Sequence, residues 1–220
     1  KKIKISMMPL QIKPINFKKK FKNMINDKRF LAAAVTMPYK KKLYSLVNVT
    51  DRVTKFSRSI NLIIKKKNNL YGFNTDVYGA LKTIKKIKIK KNIAIFGYGG
   101  SGEAICRVIK NVYRKSKIIV ISKKRKPSDL KSNIKFVKRK EFKSLYQVDL
   151  FINCSPLGSN LNSKLINQTP IDNKILKNKK KNLVIFDIVY SPKITLLANL
   201  AKENNIKYIN GIKMNTEQAN

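Results

Sequence analysis

A glycine-rich turn between an apolar strand and an amphipathic helix constrains this chain more than any other feature. In the segment IAIFGYGGSGEAI, a β-branched run meets a turn with four glycines, and a helical stripe of apolar residues follows. The glycines are Gly97, Gly99, Gly100 and Gly102. Glycines at such a turn let backbone N–H groups approach a pyrophosphate, and the helix N-terminus favours negative charge. The segment therefore predicts dinucleotide binding, with a tight packing turn as the alternative.

The rest of the second half repeats this alternation of short apolar runs and helical stretches. Runs rich in Val, Ile and Leu occupy residues 92–96, 117–121, 148–152, 183–187 and 208–210. Such runs, separated by helices, are typical of a parallel sheet that is covered on both faces. The chain is therefore predicted to be an α/β protein with a Rossmann-type, doubly wound parallel sheet.

The first part of the chain predicts a second αβ domain. We expect helices over residues 16–27 and 41–57, and strands over residues 32–36 and 61–65. The predicted division is a first domain over residues 1–78, the dinucleotide domain over 79–205, and a segment over 206–220 that returns toward the first domain. We expect a cleft between the two domains.

The charge of the chain is extreme but evenly spread. Fifty Lys and Arg against eleven Asp and Glu give a net charge of +39. Nucleic-acid-binding proteins concentrate basic residues on one element and interleave them with aromatic ones, and no such motif is present. We interpret the abundance of lysine as the result of a bias toward AT-rich codons, with lysines at solvated positions. We expect no specific nucleic-acid partner. The charge should still draw anionic small molecules toward a cleft.

Other function classes are excluded by residues that the chain lacks. It has no His, and its two cysteines lie in apolar surroundings without metal-ligand spacing. A disulfide scaffold, a Cys/His zinc site and a His-based triad are therefore excluded, and no metal is expected. No apolar run approaches the ~18 residues of a membrane-spanning helix. We expect a cytoplasmic protein without a membrane partner.

The residues after the strand at 117–121 indicate which dinucleotide binds. NAD-binding folds usually place Asp or Glu there to hold the ribose hydroxyls. This chain has Ser122, Lys123, Lys124 and Arg125 instead. Cations suit a 2′-phosphate, so the sequence favours NADP over NAD. NAD stays open, because lysine follows almost any segment of this chain.

Two turns carry residues suited to proton transfer. VTMPYK holds Thr36 and Lys40 after a predicted strand, and GFNTD holds Asn74 and Asp76. If both turns face one cleft, an ammonium and a carboxylate can exchange a proton with a reacting oxygen, while short polar groups hold hydroxyls. Asp76 is the more informative residue because acids are so scarce here.

Taken together, these motifs resemble the shikimate dehydrogenase family. VTMPYK, the Asn of SINLI, GFNTD, GYGGSG, NCSPLG, FDIVYSPKITLL and NGIKMNTEQA follow in the family's order. The resemblance implies NADP-linked, reversible reduction of 3-dehydroshikimate to shikimate, a step toward chorismate and the aromatic amino acids. A quinate/shikimate dehydrogenase that uses NAD, and a basic nucleic-acid-binding protein on a Rossmann scaffold, are the alternatives. Both a monomer and a homodimer stay open.

The resemblance also implies roles for individual residues. Lys40 matches the family's acid/base lysine and Asp76 its partner. The positions that match substrate contacts are Thr36, Asn61, Asp76, Tyr190 and Gln218. The positions that match cofactor contacts are Gly97, Tyr98, Gly99, Gly100, Ser101, Ser122, Lys123, Lys124, Arg125, Ile188, Gly211 and Met214.

The chain departs from the family pattern at both ends and at single positions between them, among them Ala34 in place of Asn and Arg58 in place of Gly. The family opens with a glycine–proline strand and a Ser-x-Ser clamp for the substrate carboxylate, and nothing here matches them. The family also runs on beyond EQAN, and Tyr98 stands where the family usually has Ala. From the two ends we expect an internal fragment of a longer chain, and the missing clamp leaves an inactive remnant as a further alternative.

Overall fold

The computed structural model describes residues 5–36, 38–87, 91–124, 126–130 and 133–219. These described residues form two β-sheets, one of four strands and one of six. The expected α/β class with two αβ units is confirmed. None of the helices in the described ranges is both long and apolar enough to cross a membrane.

The four-stranded sheet is built from the first part of the chain, in the order β1-β3-β4-β2. Its strands are β1 (Ala32–Ala34), β2 (Val49–Thr50), β3 (Leu62–Lys66) and β4 (Asn69–Phe73). Strands β3 and β4 form an antiparallel hairpin, while β2 pairs with β4 in parallel. Three helices accompany this sheet: α1 (Phe17–Asn26), α2 (Lys40–Tyr44) and α3 (Arg52–Ser57). We call this unit the first lobe.

The prediction of one helix over residues 41–57 is wrong. Helix α2 ends at Tyr44, and the strand β2 precedes α3. The physical reason is Asp51, whose carboxylate accepts the backbone N–H groups of Val53 at 2.8 Å and Thr54 at 2.9 Å. Asp51 is thus the N-cap that starts a new helix rather than an interior helical residue.

The six-stranded sheet is parallel throughout, in the order β10-β9-β8-β5-β6-β7. Its strands are β5 (Asn92–Phe96), β6 (Lys117–Ile121), β7 (Ile134–Val137), β8 (Leu150–Asn153), β9 (Val184–Asp187) and β10 (Lys207–Ile209). Strand β5 lies between β6 and β8, so the chain order reverses there. Ligands of doubly wound sheets bind in the crevice at such a switch point, outside the carboxyl ends of the strands.

Helices cover both faces of this sheet. We call the sheet and these helices together the second lobe. They are α4 (Thr75–Lys85), α5 (Gly100–Val112), α6 (Ser163–Ile166), α7 (Asn173–Lys177), α8 (Leu196–Glu203) and α9 (Gly211–Ala219). One apolar core combines residues of α4, α5 and α9 with the sheet, and another combines residues of α7 and α8 with it. Helices α4 and α9 pack closely, since a Cβ at Gly79 would lie 2.4 Å from the Met214 carbonyl oxygen.

Ion pairs join the two lobes beside α5. Lys41 of α2 pairs with Glu103 in the first turn of α5. Arg58, at the end of α3, lies 2.8 Å from the Asp129 carboxylate. Arg107 of α5 contacts both acids, at 3.0 Å from Glu103 and 2.8 Å from Asp129. These five residues form an interlobe network that holds the helix of Lys40 against the helix of the glycine turn.

Replacing Glu103 with glutamine is expected to flatten the acid limb of the stability curve. Burial opposes ionisation of Glu103, but the hydrogen bonds from Lys41 and Arg107 outweigh it and lower the pKa of this carboxyl below its ordinary 4.5. A group with a depressed folded-state pKa contributes stability above its unfolded value, and this stability is lost as the pH falls through the folded value. The melting temperature of the parent protein should therefore fall more steeply than that of Glu103→Gln between about pH 5 and pH 3.

Glu203→Gln on the exposed face of α8 is the control, and its slope should match that of the parent protein. Both variants lose one carboxylate, so the difference between their slopes isolates the ion-paired setting of Glu103. Equal slopes for the parent protein and Glu103→Gln would show that the interlobe network adds no acid-sensitive stability.

Candidate active site

Lys40 and Asp76 form an ion pair, although 36 positions separate them in the chain. Lys40 is the first residue of α2, just after the turn that follows β1. Asp76 lies in the first turn of α4, just after β4. The Lys40 Nζ donates to Asp76 Oδ2 at 2.5 Å, and the two side chains are 20% and 18% exposed. The pair is thus sheltered enough to be ordered and open enough to meet a substrate.

Asn61 holds the second oxygen of this carboxylate. Its Nδ2 donates to Asp76 Oδ1 at 2.9 Å and to Thr75 Oγ1 at 2.9 Å. The Thr75 backbone N–H donates back to Asn61 Oδ1 at 2.8 Å. Both Asp76 oxygens therefore have a fixed donor, and the orientation of the Lys40 ammonium follows. The sequence did not single out Thr75, and its place beside Asp76 in GFNTD is the one signal that could have done so.

Asn74, in contrast, has a structural role. It is buried, its Oδ1 accepts the backbone N–H of Val77 at 3.2 Å, and its Nδ2 donates to Ser59 Oγ at 2.6 Å. It caps α4, so it is not free to hold a substrate hydroxyl.

The glycine turn divides into two glycines that packing requires and two that it does not. Gly97 has φ 91°, and a Cβ at Gly102 would lie 2.3 Å from the Gly97 carbonyl oxygen. A Cβ at Gly99 or Gly100 would meet no atom of the described residues within 4 Å. Packing inside the protein thus does not explain the latter two. This open space at the N-terminus of α5, which we call the cradle, leaves room for an anionic group.

Tyr98 and Ser101 both lie near the glycine turn but differ in burial. Tyr98 is 4% exposed, and its ring packs edge-on against Phe136 with the centroids 4.9 Å apart. Burial raises the pKa of its hydroxyl, which has no hydrogen-bond partner among the described residues. The Tyr98 ring thus lies in the core. Ser101 is half-buried in the first turn of α5.

The cationic stretch after β6 lies at the same edge of the sheet as the glycine turn, because β5 and β6 are parallel neighbours. The Ser122 backbone N–H donates to the Val137 carbonyl at 3.0 Å, and Ser122 Oγ accepts the Lys124 backbone N–H at 3.0 Å. Lys123 and Lys124 are exposed, and Arg125 lies outside the described residues. The two lysines are therefore free to turn toward an anion at this edge.

Ile188, Gly211 and Met214 come together where β9 and β10 end. The Gly211 backbone N–H donates to the Val189 carbonyl at 3.1 Å. A Cβ at Gly211 would lie 2.3 Å from the Ile188 carbonyl oxygen, so only glycine allows this approach. Met214 is buried, and Ile188 packs against the same core.

The remaining predicted substrate residues are less closely gathered. Thr36 is exposed, and its carbonyl accepts the Tyr39 backbone N–H at 3.1 Å. Tyr190 is 56% exposed. Neither side chain has a described contact with the Lys40–Asp76 pair. Gln218 lies on α9, which packs against the helix of Asp76, and its Oε1 is buried without a partner among the described residues. A buried acceptor without a donor suits a ligand hydroxyl.

Sequence reasoning missed Asp187, a fully buried carboxylate at the end of β9. Burial raises the pKa of this carboxyl, against the hydrogen bonds that it accepts. The scarcity of acids, which drew attention to Asp76, applied equally to Asp187. Among the described residues, no group of three or more His, Cys, Asp and Glu side chains could hold a metal ion.

Comparison with known proteins gives a consistent result. No protein-family model matches the chain. Shikimate dehydrogenase (NADP(+)) of Clostridium botulinum (strain Hall) is 33% identical over 190 residues, which cover 84% of this chain and 71% of that protein.

Solved structures share the fold. A chorismate mutase/shikimate 5-dehydrogenase fusion protein from Clostridium acetobutylicum superposes with a TM-score of 0.79 at 24% identity, over 96% of this chain and 74% of that one. Shikimate 5-dehydrogenase from Thermus thermophilus, solved with NADP(H) and shikimate, gives a TM-score of 0.74 at 19% identity, over 94% and 76%.

Proposed function

This chain belongs to the shikimate dehydrogenase family, and we propose that it interconverts 3-dehydroshikimate and shikimate with NADP, in the route to chorismate and aromatic amino acids. The Lys40–Asp76 pair, 2.5 Å apart and held by Asn61, is the observation that carries this proposal. A reaction that moves a hydride to or from a carbon also moves a proton at the attached oxygen, and this pair is built to handle that proton.

When bound, NADPH would supply the hydride in the reducing direction, and NADP+ would accept it in the oxidising direction. In the reducing direction, we propose that the Lys40 ammonium gives its proton to the substrate carbonyl oxygen as the carbon receives the hydride. In the oxidising direction, the Lys40 amine takes the hydroxyl proton as the carbon loses the hydride. Asp76 holds Lys40 in place through the ion pair, with Nζ and Oδ2 2.5 Å apart.

The other residues bind and orient. We propose that the backbone N–H groups of the glycine turn and the N-terminus of α5 hold the diphosphate. The residues proposed to hold the ribose phosphate are Ser122, Lys123, Lys124 and Arg125, and those proposed to border the nicotinamide are Ile188, Gly211 and Met214. The residues proposed to hold substrate hydroxyls are Thr36, Asn61, Tyr190 and Gln218. The open space at Gly99 and Gly100 and the unpaired Gln218 Oε1 support this arrangement.

The proposed division of labour follows the chain rather than the two lobes, because the bound at residue 78 falls inside α4. Residues 1–78 bind the substrate and carry the catalytic pair, and residues 79–205 bind NADP. Residues 206–220 add β10 and α9 to the second lobe and return to the substrate side where α9 packs against the helix of Asp76. We propose a cytoplasmic enzyme with a small-molecule substrate and no specific nucleic-acid partner, acting as a monomer or a homodimer.

Shikimate-dependent formation of NADPH by the purified protein is the direct test. The absorbance of the reduced cofactor should rise when shikimate and NADP are supplied. It should rise more slowly when quinate replaces shikimate or when NAD replaces NADP. Absence of turnover with every pair, in a protein that still binds NADPH, would refute the proposed reaction.

Reversing the charge of Lys123 and Lys124 together is expected to shift cofactor preference toward NAD. Charge-assisted hydrogen bonds to a phosphate contribute about 1.5–3 kcal/mol, and exposure of both lysines reduces this. The ratio of kcat/KM for NADP to that for NAD should fall about tenfold or more in Lys123→Glu/Lys124→Glu.

The control is Lys66→Glu/Lys67→Glu, which changes the net charge equally at the exposed hairpin of the first lobe. This control should bind both cofactors more weakly, without a change in the ratio of kcat/KM for NADP to that for NAD. An unchanged ratio in the Lys123/Lys124 variant would assign the 2′-phosphate contact to other residues.

A further inference from the structure

We propose that Asp187 is a positioning residue for hydride transfer, which orients the two loops that follow β8 and β9 at the cofactor edge of the second sheet. This inference rests on the proposed function. It concerns a buried carboxylate to which the proposed mechanism gives no proton and no ligand.

Four donors from four segments converge on this one side chain. Asp187 Oδ1 accepts the Asn153 Nδ2 at 2.9 Å and the Val189 backbone N–H at 3.0 Å. Asp187 Oδ2 accepts the hydroxyls of Tyr208 at 2.9 Å and Thr195 at 3.2 Å. The residue has 0% exposure. One carboxylate thus ties together the end of β8, the end of β9, the start of α8 and β10.

The loop after β9 is anchored on both sides of Ile188. The Ile188 backbone N–H donates to the Asn153 carbonyl at 3.1 Å, and the next N–H, that of Val189, donates to Asp187. The Val189 carbonyl accepts the Gly211 N–H at 3.1 Å. Ile188, proposed to border the nicotinamide, therefore stands on a peptide whose orientation Asp187 sets.

The loop after β8 depends on Asp187 through Asn153. Because the Asn153 amide N–H points to Asp187, its Oδ1 faces Ser155 and accepts that residue's backbone N–H at 3.0 Å and its hydroxyl at 2.7 Å. This loop supports the glycine turn, since a Cβ at Gly97 would lie 3.1 Å from the Cys154 backbone. The contact series thus runs from Asp187 to the proposed diphosphate cradle.

Desolvation argues for orientation rather than for stability. Burying a carboxylate is costly even when it is hydrogen-bonded, and apolar residues often fill such positions with equal or better stability. What an apolar residue cannot do is accept two N–H groups and two hydroxyls at set angles. The side chain that orients both loops must therefore be an acceptor.

The chain offers a matched control in Asp149, a second buried carboxylate of the same sheet. It is 6% exposed and accepts the backbone N–H groups of Lys91 at 2.7 Å and Asn92 at 2.9 Å, and it pairs with Lys180. It precedes β8, so it lies at the amino edge, away from the proposed cofactor site. If Asp187 served stability alone, substitutions at Asp187 and at Asp149 should have the same effect on turnover and melting temperature.

The experiment compares leucine and asparagine at each position. The measurements are kcat, KM for shikimate, Kd for NADPH, melting temperature, and the isotope effect with shikimate deuterated at the carbon that loses the hydride. Asp187→Leu should lower kcat about 100-fold, and Asp187→Asn, which keeps an acceptor at Oδ1, should restore it to within about tenfold of the parent. In Asp187→Asn, KM and Kd should change less than about threefold, while the isotope effect rises. The Asp149 variants should lose melting temperature but keep kcat within about twofold.

Each outcome either supports or overturns the positioning role of Asp187. If Asp187→Leu does not fold, the contrast in kcat and isotope effect between Asp187→Asn and Asp149→Asn still tests the inference. Equal kcat in those two variants, with melting temperature as the one quantity that changes, would overturn it. A parent protein that forms no NADPH from shikimate would instead refute the proposed function, so the two failures are distinguishable.

Discussion

Replacing Lys40 with alanine is expected to lower turnover of shikimate by about two to four orders of magnitude, with little change in the Kd for NADPH. The Nζ of Lys40 is the group proposed to exchange the proton, and Asp76 Oδ2, 2.5 Å away, is proposed to hold it in place. The loss should fall on kcat because the proton is transferred in the transition state, whereas the proposed cofactor site lies on the other lobe. Steady-state kinetics and titration of NADPH fluorescence measure the two quantities.

Lys42→Ala is the control for the loss of a cation from the same helix. The Lys42 ammonium lies 4.5 Å from the centroid of the Phe17 ring, and Lys42 has no place in the proposed site. Its kcat should stay within about threefold of the parent protein. An equal loss of NADPH affinity and rate in Lys40→Ala would make Lys40 a structural residue and would remove the main support for the proposed reaction.

The fold was predictable where hydrophobic pattern and secondary structure coincide. The strands β5, β6, β8 and β9 are continuous apolar runs, because helices cover both faces of the parallel sheet. Strand β7 was missed since Lys135 interrupts its apolar pattern, as an edge strand permits. The prediction of one helix over residues 41–57 was wrong because it rested on apolar spacing and did not consider that Asp51 could be the N-cap of a new helix.

The site was predictable in its residue types but not in its contacts. The turn after β1 and the turn after β4 bring Lys40 and Asp76 together, because β3 alone separates these strands in the sheet. The bonds between Asn61 and Thr75, and those from four segments to Asp187, depend on sheet order and register. No local pattern encodes such long-range contacts, so they became visible only with the fold.

The largest expected loss of cofactor binding is at Gly99. Its backbone is extended, with φ −79° and ψ −164°, and it is the N-cap of α5, where aspartate is among the preferred residues. A Cβ there meets no atom of the described residues within 4 Å, so Gly99→Asp should fold with an unchanged or higher melting temperature. A carboxylate in the cradle would take the place of the diphosphate and repel it. Like charges in contact cost several kcal/mol, so the Kd for NADPH should rise at least about 100-fold.

Gly102→Ala separates this effect from damage to the turn. Its Cβ would lie 2.3 Å from the Gly97 carbonyl oxygen, so this smaller change should lower the melting temperature, as overpacking costs about 1–3 kcal/mol. Gly99→Ser, an equally good N-cap without charge, should bind NADPH with an affinity between those of the parent protein and Gly99→Asp. If Gly99→Asp binds NADPH like the parent protein, the open space beside α5 is not the diphosphate site. Gly99 and Gly100 would then have no role in cofactor binding, and the cofactor would have to bind elsewhere on the second lobe.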